Sequence, residues 1–526
     1  MLKIHNHRII FFLLISYIFF TCVQLPLYLE WELFKLYNLN WTIDLFVDKY
    51  SSIFSLIVNL ITLCIFLYSL GYMRKEKDKN IFFYVLFFFS LRMQILIFSF
   101  SFSRILLGWD GLGITSFYLI IFYHNVKRLH GRMVTVLTNR LGDCFVIISI
   151  CLSLENLRFN VFTLKYTTLW TCFFLLLASL TKRAQLPFSF WLPKAIAAPT
   201  PVSSLVHSST LVTAGVYILF RFNHIFNFLY KTFLLILSFR TLIIGGLIAI
   251  KRFDLKEIVA FSTLSQVGLI IFFMSIRLKE VAIFHLLTHA LFKSVLFICR
   301  GYLIHHYHTQ DIRKISLDSV RPVLKLSIII SLSSIRGLPF LRGFYSKDLI
   351  VDSLSSYNSR FKLLFMSIVI VSTSFIYTLR LVNFMFIIKT NNKKTWKWNK
   401  MLLSIYFLIL GSIFIGSGIQ WTIMCNFFFH TRNIKYIIII ILYFVIIINF
   451  FINFKINLYK NLKNFNYLVL KNLIWFNKNF FILDSGWLNW IYRHVINLDN
   501  RLSLIITNLW IISILPLRVL VIIILH

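Results

Sequence analysis

The stretch LASLTKRAQLPFSFWLPKAIAAPTPVSSLVHSSTLVTAGVYILF, Leu177–Phe220, decides the fold class of this chain. It is apolar enough to lie in a membrane, yet it contains Lys182, His207 and four prolines. A charge at the centre of a bilayer costs at least ~2.5–3.5 kcal/mol on insertion scales. Such residues indicate a task inside the membrane rather than ordinary packing.

The composition of the whole chain is that of a membrane protein. Of its 526 residues, 59% are hydrophobic and only 14% are charged, whereas soluble domains are about 25% charged. The apolar runs are continuous, as in IFFYVLFFFS from Ile81, which predicts helices rather than alternating barrel strands. We therefore predict an all-α integral membrane protein with about 14–16 transmembrane helices of ~20 residues each.

The predicted spans follow one another with only short loops between them, which leaves no room for a large domain outside the membrane. They are residues 9–29, 52–70, 81–102, 105–123, 134–154, 169–186, 199–220, 232–250, 257–275, 281–304, 323–335, 361–389, 401–419, 434–454 and 503–525.

The net charge of +36 does not indicate nucleic-acid binding. The positive residues lie in short loops between apolar runs, such as MRKEKDK at 73–79, which is typical of membrane-surface charge. Lipid headgroups and partner subunits are the expected counter-charges. Because nearly every loop is basic, the charge distribution gives no membrane orientation.

The seven cysteines are scattered and form no CxxC pair. Iron–sulfur clusters and structural zinc sites need ligands at close, regular spacing. We therefore expect any redox chemistry to occur in other subunits.

Two segments interrupt the helical pattern in a similar way. The first is the proline-rich stretch after Lys182, and the second is SSIRGLPFLRGFYSKDLI, which contains Gly337, Gly343 and Lys347. Paired interruptions in two halves of a membrane protein point to an internal repeat with a transport site at the broken helices. The alternative is that the prolines only kink packed helices.

The ionisable residues in or beside the predicted spans have the composition of a proton relay, because they combine acids, lysines and imidazoles. They are Asp110, Asp143, Lys182, His207, His285, His289, Lys293 and Lys347.

Each of these residues also has a structural interpretation. Asp110 could cap a helix or pair with Arg104, and Asp143 could pair with Arg140 three residues earlier. His207 could donate to a backbone carbonyl. The two lysines at the breaks could extend their ammonium groups to the membrane interface.

The motif FHLLTHALFKSVLF places His285, His289 and Lys293 four residues apart. Four residues turn a helix by about 40° more than a full turn, so the three side chains share one face. This face favours a hydrated proton path. A pair of histidines at this spacing could also bind a metal or haem, but Lys293 on the same face argues against it.

The C-terminal part changes character after Asn453. Apolar residues recur every three or four positions, with lysine and asparagine between them, over about 455–481. This pattern predicts an amphipathic helix that lies along the membrane, followed by a final anchor span. An ordinary surface loop with some helix is the alternative.

Several motifs together resemble one family. They are TKRAQLPFSFWLPKAIAAPTPVSSLVHSSTLVTAGVY, GWDGLGITSFYLI, NRLGDCF, DLKEIVAFSTLSQVGLI, HLLTHALFKSVLF, TQDIRK and GLPFLRGFYSKDLI, and they cover roughly Arg104 to Asp352. In order and spacing they resemble the chain 5 family of mitochondrial NADH–ubiquinone oxidoreductases, the antiporter-like subunits of respiratory complex I. Sister chain 4 subunits carry different residues after the broken helix.

The resemblance implies two inverted five-helix repeats with broken helices, a C-terminal lateral helix and a final anchor. The implied divisions are N-terminal helices at 1–103, the first repeat at 104–220, the second at 221–390, further helices at 391–454, the lateral helix at 455–500 and the anchor at 501–526.

The resemblance also implies roles for the first group of ionisable residues. Asp110 takes the place of the acid that pairs with Lys182, although most relatives carry Glu there. Asp143 fits a second acid on the side where protons enter, and His207 matches a connecting histidine.

In the second half, the resemblance makes the His285, His289 and Lys293 face the central relay. Lys347, with Asp348 beside it, matches the exit-side lysine of the second broken helix. Arg336 and Arg342 stand where the family usually has uncharged residues.

The function that the resemblance implies is proton translocation in the mitochondrial inner membrane, driven by NADH-to-ubiquinone electron transfer. This chain would hold no cofactor, since NADH, FMN, iron–sulfur clusters and ubiquinone belong to other subunits. The implied partners are other membrane-arm subunits, especially chain 4, accessory subunits, and phospholipids such as cardiolipin. The alternatives are a cation/proton antiporter subunit and an inactive structural anchor.

Overall fold

A computed structural model describes most of the chain between residues 26 and 423. The described residues are 26–36, 39–74, 76–122, 126–154, 169–196, 198–317, 320–338, 341, 343–347, 349, 360–387 and 400–423. The span predicted at 434–454, the lateral helix, the final anchor, Asp348 and most of the predicted span 9–29 lie outside them.

The described chain is mainly helical, as the apolar runs predict. Its helices are α1 (Lys49–Tyr72), α2 (Lys79–Phe98), α3 (Phe102–Ile121), α4 (Val126–Leu154), α5 (Leu169–Lys182), α6 (Trp191–Ala195), α7 (Thr200–Arg221), α8 (Phe228–Lys251), α9 (Leu255–Ser275), α10 (Lys279–Tyr307), α11 (Pro322–Arg336), α12 (Arg360–Ile387) and α13 (Lys400–Ile423). Within the described residues, seven helices (α1, α2, α4 and α7–α10) are long and apolar enough to cross a membrane by length and composition.

A β-hairpin precedes α1, and the sequence analysis did not predict it. Strand β1 (Leu27–Leu36) pairs antiparallel with β2 (Leu39–Val47), from Leu27 opposite Val47 to Leu36 opposite Leu39, with an irregularity after Glu32. The span predicted at 9–29 is therefore wrong at its last three residues, which lie in β1. The segment LYLEWELFKL places charged residues among aromatic and aliphatic ones, which suits a strand better than an apolar helix.

A salt bridge joins the start of α1 to the end of α7. Asp48 caps α1 through a capping box with Ser51, and its carboxylate accepts two hydrogen bonds from Arg221, at 2.7 and 2.9 Å. Burial alone would raise the pKa of Asp48, but the charge and hydrogen bonds of Arg221 hold that pKa below its ordinary value. The membrane end that holds this bridge is called the hairpin end below, because β2 packs there against α1 and α2.

The centre of the fold is formed by α7, α9 and α10, whose apolar segments are entirely buried. Helices α2 and α8 are more exposed, as expected for helices that face lipid or a partner. A helix surrounded by protein on all sides can hold polar side chains away from lipid. The buried helices are therefore the elements able to carry the ionisable residues.

The first break lies between α5 and α7. Helix α5 ends at Lys182, and the indole of Trp191 on α6 donates to the carbonyl of Thr181, at 2.8 Å. Helix α7 then starts with Pro201 in its first turn and continues as a π-helical segment over Ser203–Thr210. Wider turns of this kind are frequent at functional sites.

The second break follows α11 and depends on two glycines. Gly337 caps α11 with a φ of 87°, a left-handed conformation that glycine adopts without a steric penalty. A Cβ on Gly343 would lie 1.6 Å from the carbonyl oxygen of Ser334, so only glycine permits this approach. Residues 343–347 are helical and carry Lys347 back toward the core.

We expect Gly343→Ala to lower the thermal stability of the full-length chain, because the new methyl group must push residues 343–347 away from α11. The cost should be at least ~1–3 kcal/mol, the usual range for overpacking a tight site. Thermal unfolding of the purified chain in nanodiscs measures the change. Gly113→Ala is the matched control, since nothing lies within 4 Å of its Cβ position, and equal melting temperatures of the two variants would contradict the prediction.

Candidate functional site

Lys182 is fully buried at the C-terminal end of α5. Its ammonium donates to the backbone carbonyl of Trp109 on α3 and lies 3.9 Å from the centroid of the Trp109 ring. The terminal carbonyls of a helix also favour a positive charge at this position. Lys182 therefore does not reach the membrane interface, which excludes the interfacial interpretation.

Two carboxylates lie near Lys182 without contacting it. Asp110 and Asp143 both interact electrostatically with Lys182, but both accept hydrogen bonds from Arg140, at 2.8 and 3.3 Å. The expected direct pair between Asp110 and Lys182 is therefore not formed. Arg140 provides the cation that both carboxylates contact.

The structure also tests the ion pair that the sequence suggested for each of these two acids. Asp143 pairs with Arg140, as the spacing of three residues suggested. Arg104 is not the partner of Asp110, since its guanidinium donates to the backbone carbonyl of Asp44.

A close helix contact explains why Asp143 lies beside the first break. A Cβ on Gly142 would lie 2.3 Å from the hydroxyl oxygen of Thr181, the residue before Lys182. The absence of a side chain lets α4 approach α5 at this point. The glycine in NRLGDCF thus positions the neighbouring acid.

His207 lies in the π-helical segment of α7 and is buried. Its ring centroid is 6.1 Å from that of Trp191, and neither ring nitrogen has a hydrogen-bond partner among the described residues. The expected alternative of a bond to a backbone carbonyl is not observed. The segment packs against α10, which carries the next histidines.

His285 is held between two neutral groups. Its Nδ1 lies 2.9 Å from the hydroxyl of Ser346 at the second break, and its Nε2 lies 3.2 Å from the amide oxygen of Gln266 on α9. The amide nitrogen of Gln266 in turn donates to Tyr377 on α12, at 3.3 Å. Because an amide oxygen only accepts, Nε2 donates to Gln266, and the Ser346 hydroxyl can donate to Nδ1 of the neutral ring.

His289 and Lys293 lie on the same buried helix. Lys293 donates to the hydroxyl of Ser262 on α9, at 2.6 Å. The ring centroid of His289 is 6.5 Å from that of His285, and its nitrogens have no partner among the described residues. The three side chains are fully buried, as expected of a face enclosed by protein.

Lys347 joins this group from the second break. Its ammonium donates to the carbonyl of Ile335 on α11 and to the hydroxyl of Ser374 on α12, the latter at 3.0 Å. It also interacts electrostatically with His285 and Lys293. The break therefore brings its lysine to the α10 face.

The sequence analysis missed the uncharged partners of these groups. Ser262 and Gln266 are four residues apart on the apolar helix α9, and this pair of polar residues was a usable signal. Ser346 and Ser374 carried no such signal, because only the tertiary fold brings them to His285 and Lys347.

The metal interpretation of the histidine pair finds no ligand set in the described part of the chain. No group of three or more His, Cys, Asp or Glu side chains is placed there to hold a metal ion. The contacts of His285 with Ser346 and Gln266 instead suit proton exchange.

Two family models match the chain. Residues 99–377 match the family described as NADH:quinone oxidoreductase/Mrp antiporter, TM. Residues 31–83 match the N-terminus of complex I NADH-ubiquinone oxidoreductase chain 5. The first match includes the two breaks and every candidate relay residue, and the second includes α1 and the hairpin from residue 31 onward.

Curated relatives agree with the family models. NADH-ubiquinone oxidoreductase chain 5 of Aedes aegypti is 40% identical over 423 residues, which cover 77% of this chain and 72% of the relative. The chain 5 of Anopheles gambiae is 39% identical over 421 residues, with the same coverage. The chain 5 of Mytilus edulis is 43% identical over 320 residues, which cover 60% of this chain and 56% of the relative.

Solved structures share the fold. The Mrp complex from Dietzia sp. DQ12-45-1b matches with a TM-score of 0.72 at 21% identity, covering 82% of this chain and 52% of the other. The archaeal membrane-bound sulfane sulfur reductase matches with a TM-score of 0.71 at 18% identity, covering 79% of this chain and 88% of the other. At these identities the similarity concerns the fold alone.

We expect Arg140→Gln to move the ammonium of Lys182 from the Trp109 carbonyl to a carboxylate, because Arg140 no longer competes for Asp110 and Asp143. A high-resolution cryo-EM map of the variant measures the new nitrogen–oxygen distance, expected below 4 Å. Arg132→Gln, on the same helix, is the control, since Arg132 stacks on Phe117 at 4.3 Å. Finding Lys182 unmoved in both variants would refute the role given to Arg140.

Proposed function

The chain belongs to the NADH–ubiquinone oxidoreductase chain 5 family, and from this premise we propose how it acts as a proton-translocating membrane-arm subunit of respiratory complex I. Protons pass from Lys182 through His207 to the His285, His289 and Lys293 face, and leave through Lys347. Water joins these groups where the side chains do not touch.

One observation carries this proposal: the three buried lysines contact neutral oxygens. Lys182 donates to a backbone carbonyl, Lys293 to a serine hydroxyl, and Lys347 to a carbonyl and a serine hydroxyl. A lysine bound to neutral acceptors can release its proton without leaving an uncompensated carboxylate in a medium of low dielectric constant. Lysines in tight ion pairs would hold their protons.

The first break is suited to start the transfer. Asp110 and Asp143 attract the protonated form of Lys182 from a distance, while Arg140 competes for both carboxylates. A charge change in the neighbouring subunit that draws the carboxylates further toward Arg140 weakens their hold on the lysine proton. Lys182 then releases the proton toward His207.

The second half of the described chain is suited to receive the proton that Lys182 releases. The ring of His285 can accept a proton at Nδ1, which contacts the Ser346 hydroxyl, while its Nε2 keeps a proton donated to the amide oxygen of Gln266. Lys293 and Lys347 repel one another electrostatically. A proton that arrives at Lys293 therefore favours release of a proton from Lys347.

In this proposal the chain has no redox centre, and NADH, FMN, iron–sulfur clusters and ubiquinone are bound by other subunits. The sequence supports this, since its seven cysteines form no CxxC pair that would provide closely spaced ligands. We place the chain in the mitochondrial inner membrane, beside chain 4, accessory subunits and phospholipids such as cardiolipin. Asp348 belongs to the exit by its position next to Lys347.

The two alternatives make different demands on the same residues. An inactive structural anchor needs its buried charges locked in permanent pairs, and the lysine contacts argue against it. A sodium/proton antiporter subunit would transport sodium without an NADH-linked partner.

We expect Lys182→Met and Lys347→Met each to reduce the number of protons pumped per NADH oxidised by the assembled complex. Loss of a proton-transfer group typically costs a factor of about 10²–10⁴ in a transfer step. A pH-sensitive dye in proteoliposomes measures the pumping, and NADH oxidation is followed in the same vesicles.

Lys194→Met is the matched control for these variants. Lys194 lies in α6 at the first break, with its ammonium 3.6 Å from the centroid of the Phe190 ring. Its loss should leave the pumped protons unchanged. Native pumping by both Lys182→Met and Lys347→Met would rule out the relay.

We also expect ordered water at the ring nitrogens of His207 and His289, because buried polar atoms rarely lack partners. A cryo-EM map of the complex at water-resolving quality tests this. A dry interior between Lys182 and Lys347 would show that the path does not exist.

A further inference from the structure

Arg300 on α10 is a buried cation that the relay does not use. It is 3% exposed, and two of its guanidinium nitrogens have no hydrogen-bond partner among the described residues. The third donates to the backbone carbonyl of Lys256 at 3.4 Å, a long contact. The guanidinium carbon lies 5.0 Å from the centroid of the Phe297 ring.

An arginine with so few partners is not expected to stabilise the folded protein. A buried charge is costly unless it is paired and hydrogen-bonded. Arg221 shows the paired case, with two hydrogen bonds to the Asp48 carboxylate. Arg300 has no carboxylate within 4 Å in the described part of the chain, so its stabilising contacts are few by comparison.

Arg300 is aligned with the relay. Seven residues separate it from Lys293, which is within about 20° of two full helical turns, so both side chains leave α10 on the same face. Along the helix axis the separation is roughly 10 Å. Helix α10 begins at the hairpin end, where the Tyr50 hydroxyl of α1 donates to Glu280 at 3.4 Å, so Arg300 lies between Lys293 and the opposite end of the helix.

Several polar side chains lie near Arg300 toward the end of the fold opposite the hairpin. Arg300 interacts electrostatically with Tyr68 and Tyr72 of α1. The Tyr68 hydroxyl lies 3.3 Å from that of Thr200 at the start of α7, and the Tyr72 ring lies 6.1 Å from the His305 ring. These groups could accommodate a line of water between the surface and Lys293.

We propose that Arg300 is a fixed positive charge that keeps metal cations out of the relay from the end opposite the hairpin. A guanidinium stays protonated in proteins, so its charge is permanent. The field of Arg300 opposes any positive charge, but a sodium or potassium ion must in addition fit beside the guanidinium and lose its hydration shell, whereas a proton passes between hydrogen-bonded groups without an ion entering. Fixed positive charges exclude cations from water-filled pores by this means.

This inference rests on the proposed relay, because it assigns Arg300 to the access path of Lys293. It makes the chain selective for protons over sodium, which distinguishes its task from that of an antiporter. Because this selectivity depends on Arg300 alone, a substitution of Arg300 can remove it without changing any residue of the proposed relay.

The test measures passive ²²Na⁺ uptake into proteoliposomes that contain the assembled complex, without NADH. Arg300→Met should take up sodium roughly tenfold faster than the native complex, which is the effect of removing one unit charge at ~10 Å in a medium of intermediate dielectric constant. Arg300→Lys keeps the charge and should remain near the native rate. Native uptake by Arg300→Met would overturn the proposal.

Thermal unfolding of the same preparations separates selectivity from a structural role. Arg300→Met should melt at the native temperature or above it, whereas Arg221→Met should melt lower, because it leaves the Asp48 carboxylate unpaired. A drop or a failure to assemble with Arg300→Met would show a structural role and overturn the proposal. Since no NADH is present, sodium uptake is independent of the pumping test: a leaking Arg300→Met complex with native pumping by the lysine variants would reject the relay and the assignment of Arg300 to the access path of Lys293, although a barrier to sodium at Arg300 would stand.

Discussion

The cost of holding an ammonium group in a low-dielectric interior is the constraint on which the rest of this structure depends. Lys182, Lys293 and Lys347 are buried, and each donates to oxygens that carry no net charge. Such contacts satisfy hydrogen bonds but leave the proton exchangeable. The fold therefore provides enough polar contact to retain these lysines without fixing their protonation.

The two helix breaks meet this constraint by backbone geometry. Each break ends a helix inside the protein, so that terminal carbonyls become available to an ammonium group. Lys347 uses the carbonyl of Ile335 at the end of α11, and it reaches it because Gly343 permits contact with Ser334. At the first break, Lys182 instead donates to the carbonyl of Trp109 within α3, and Gly142 lets α4 approach Thr181.

Arginine has three different environments in this protein. Arg221 is paired and joins α1 to α7, the half-exposed Arg140 contacts two carboxylates that do not reach Lys182, and Arg300 has few partners among the described residues. The effect of an arginine therefore depends on its partners: it can stabilise helix packing, bind nearby carboxylates, or act as an unpaired positive charge.

The sequence by itself determined the membrane class, the helices between α1 and α13, the two breaks and the candidate ionisable residues of the proposed relay. These follow from local causes: continuous apolar runs predict helices, proline and glycine end them, and the four-residue spacing on α10 places three groups on one face. The family motifs added the order of the roles.

Only the tertiary structure decided which groups touch. The expected pair of Asp110 with Lys182 is replaced by Arg140, and His285 finds Ser346 and Gln266, which lie far from it in sequence. The hairpin of β1 and β2 was also missed, because its pattern adjoins an apolar run. Which side chains become partners depends on the distances between helices. Those distances are set by side-chain size at contacts such as Gly142 and Gly343. The sequence pattern of one helix does not show which residue of another helix it will contact.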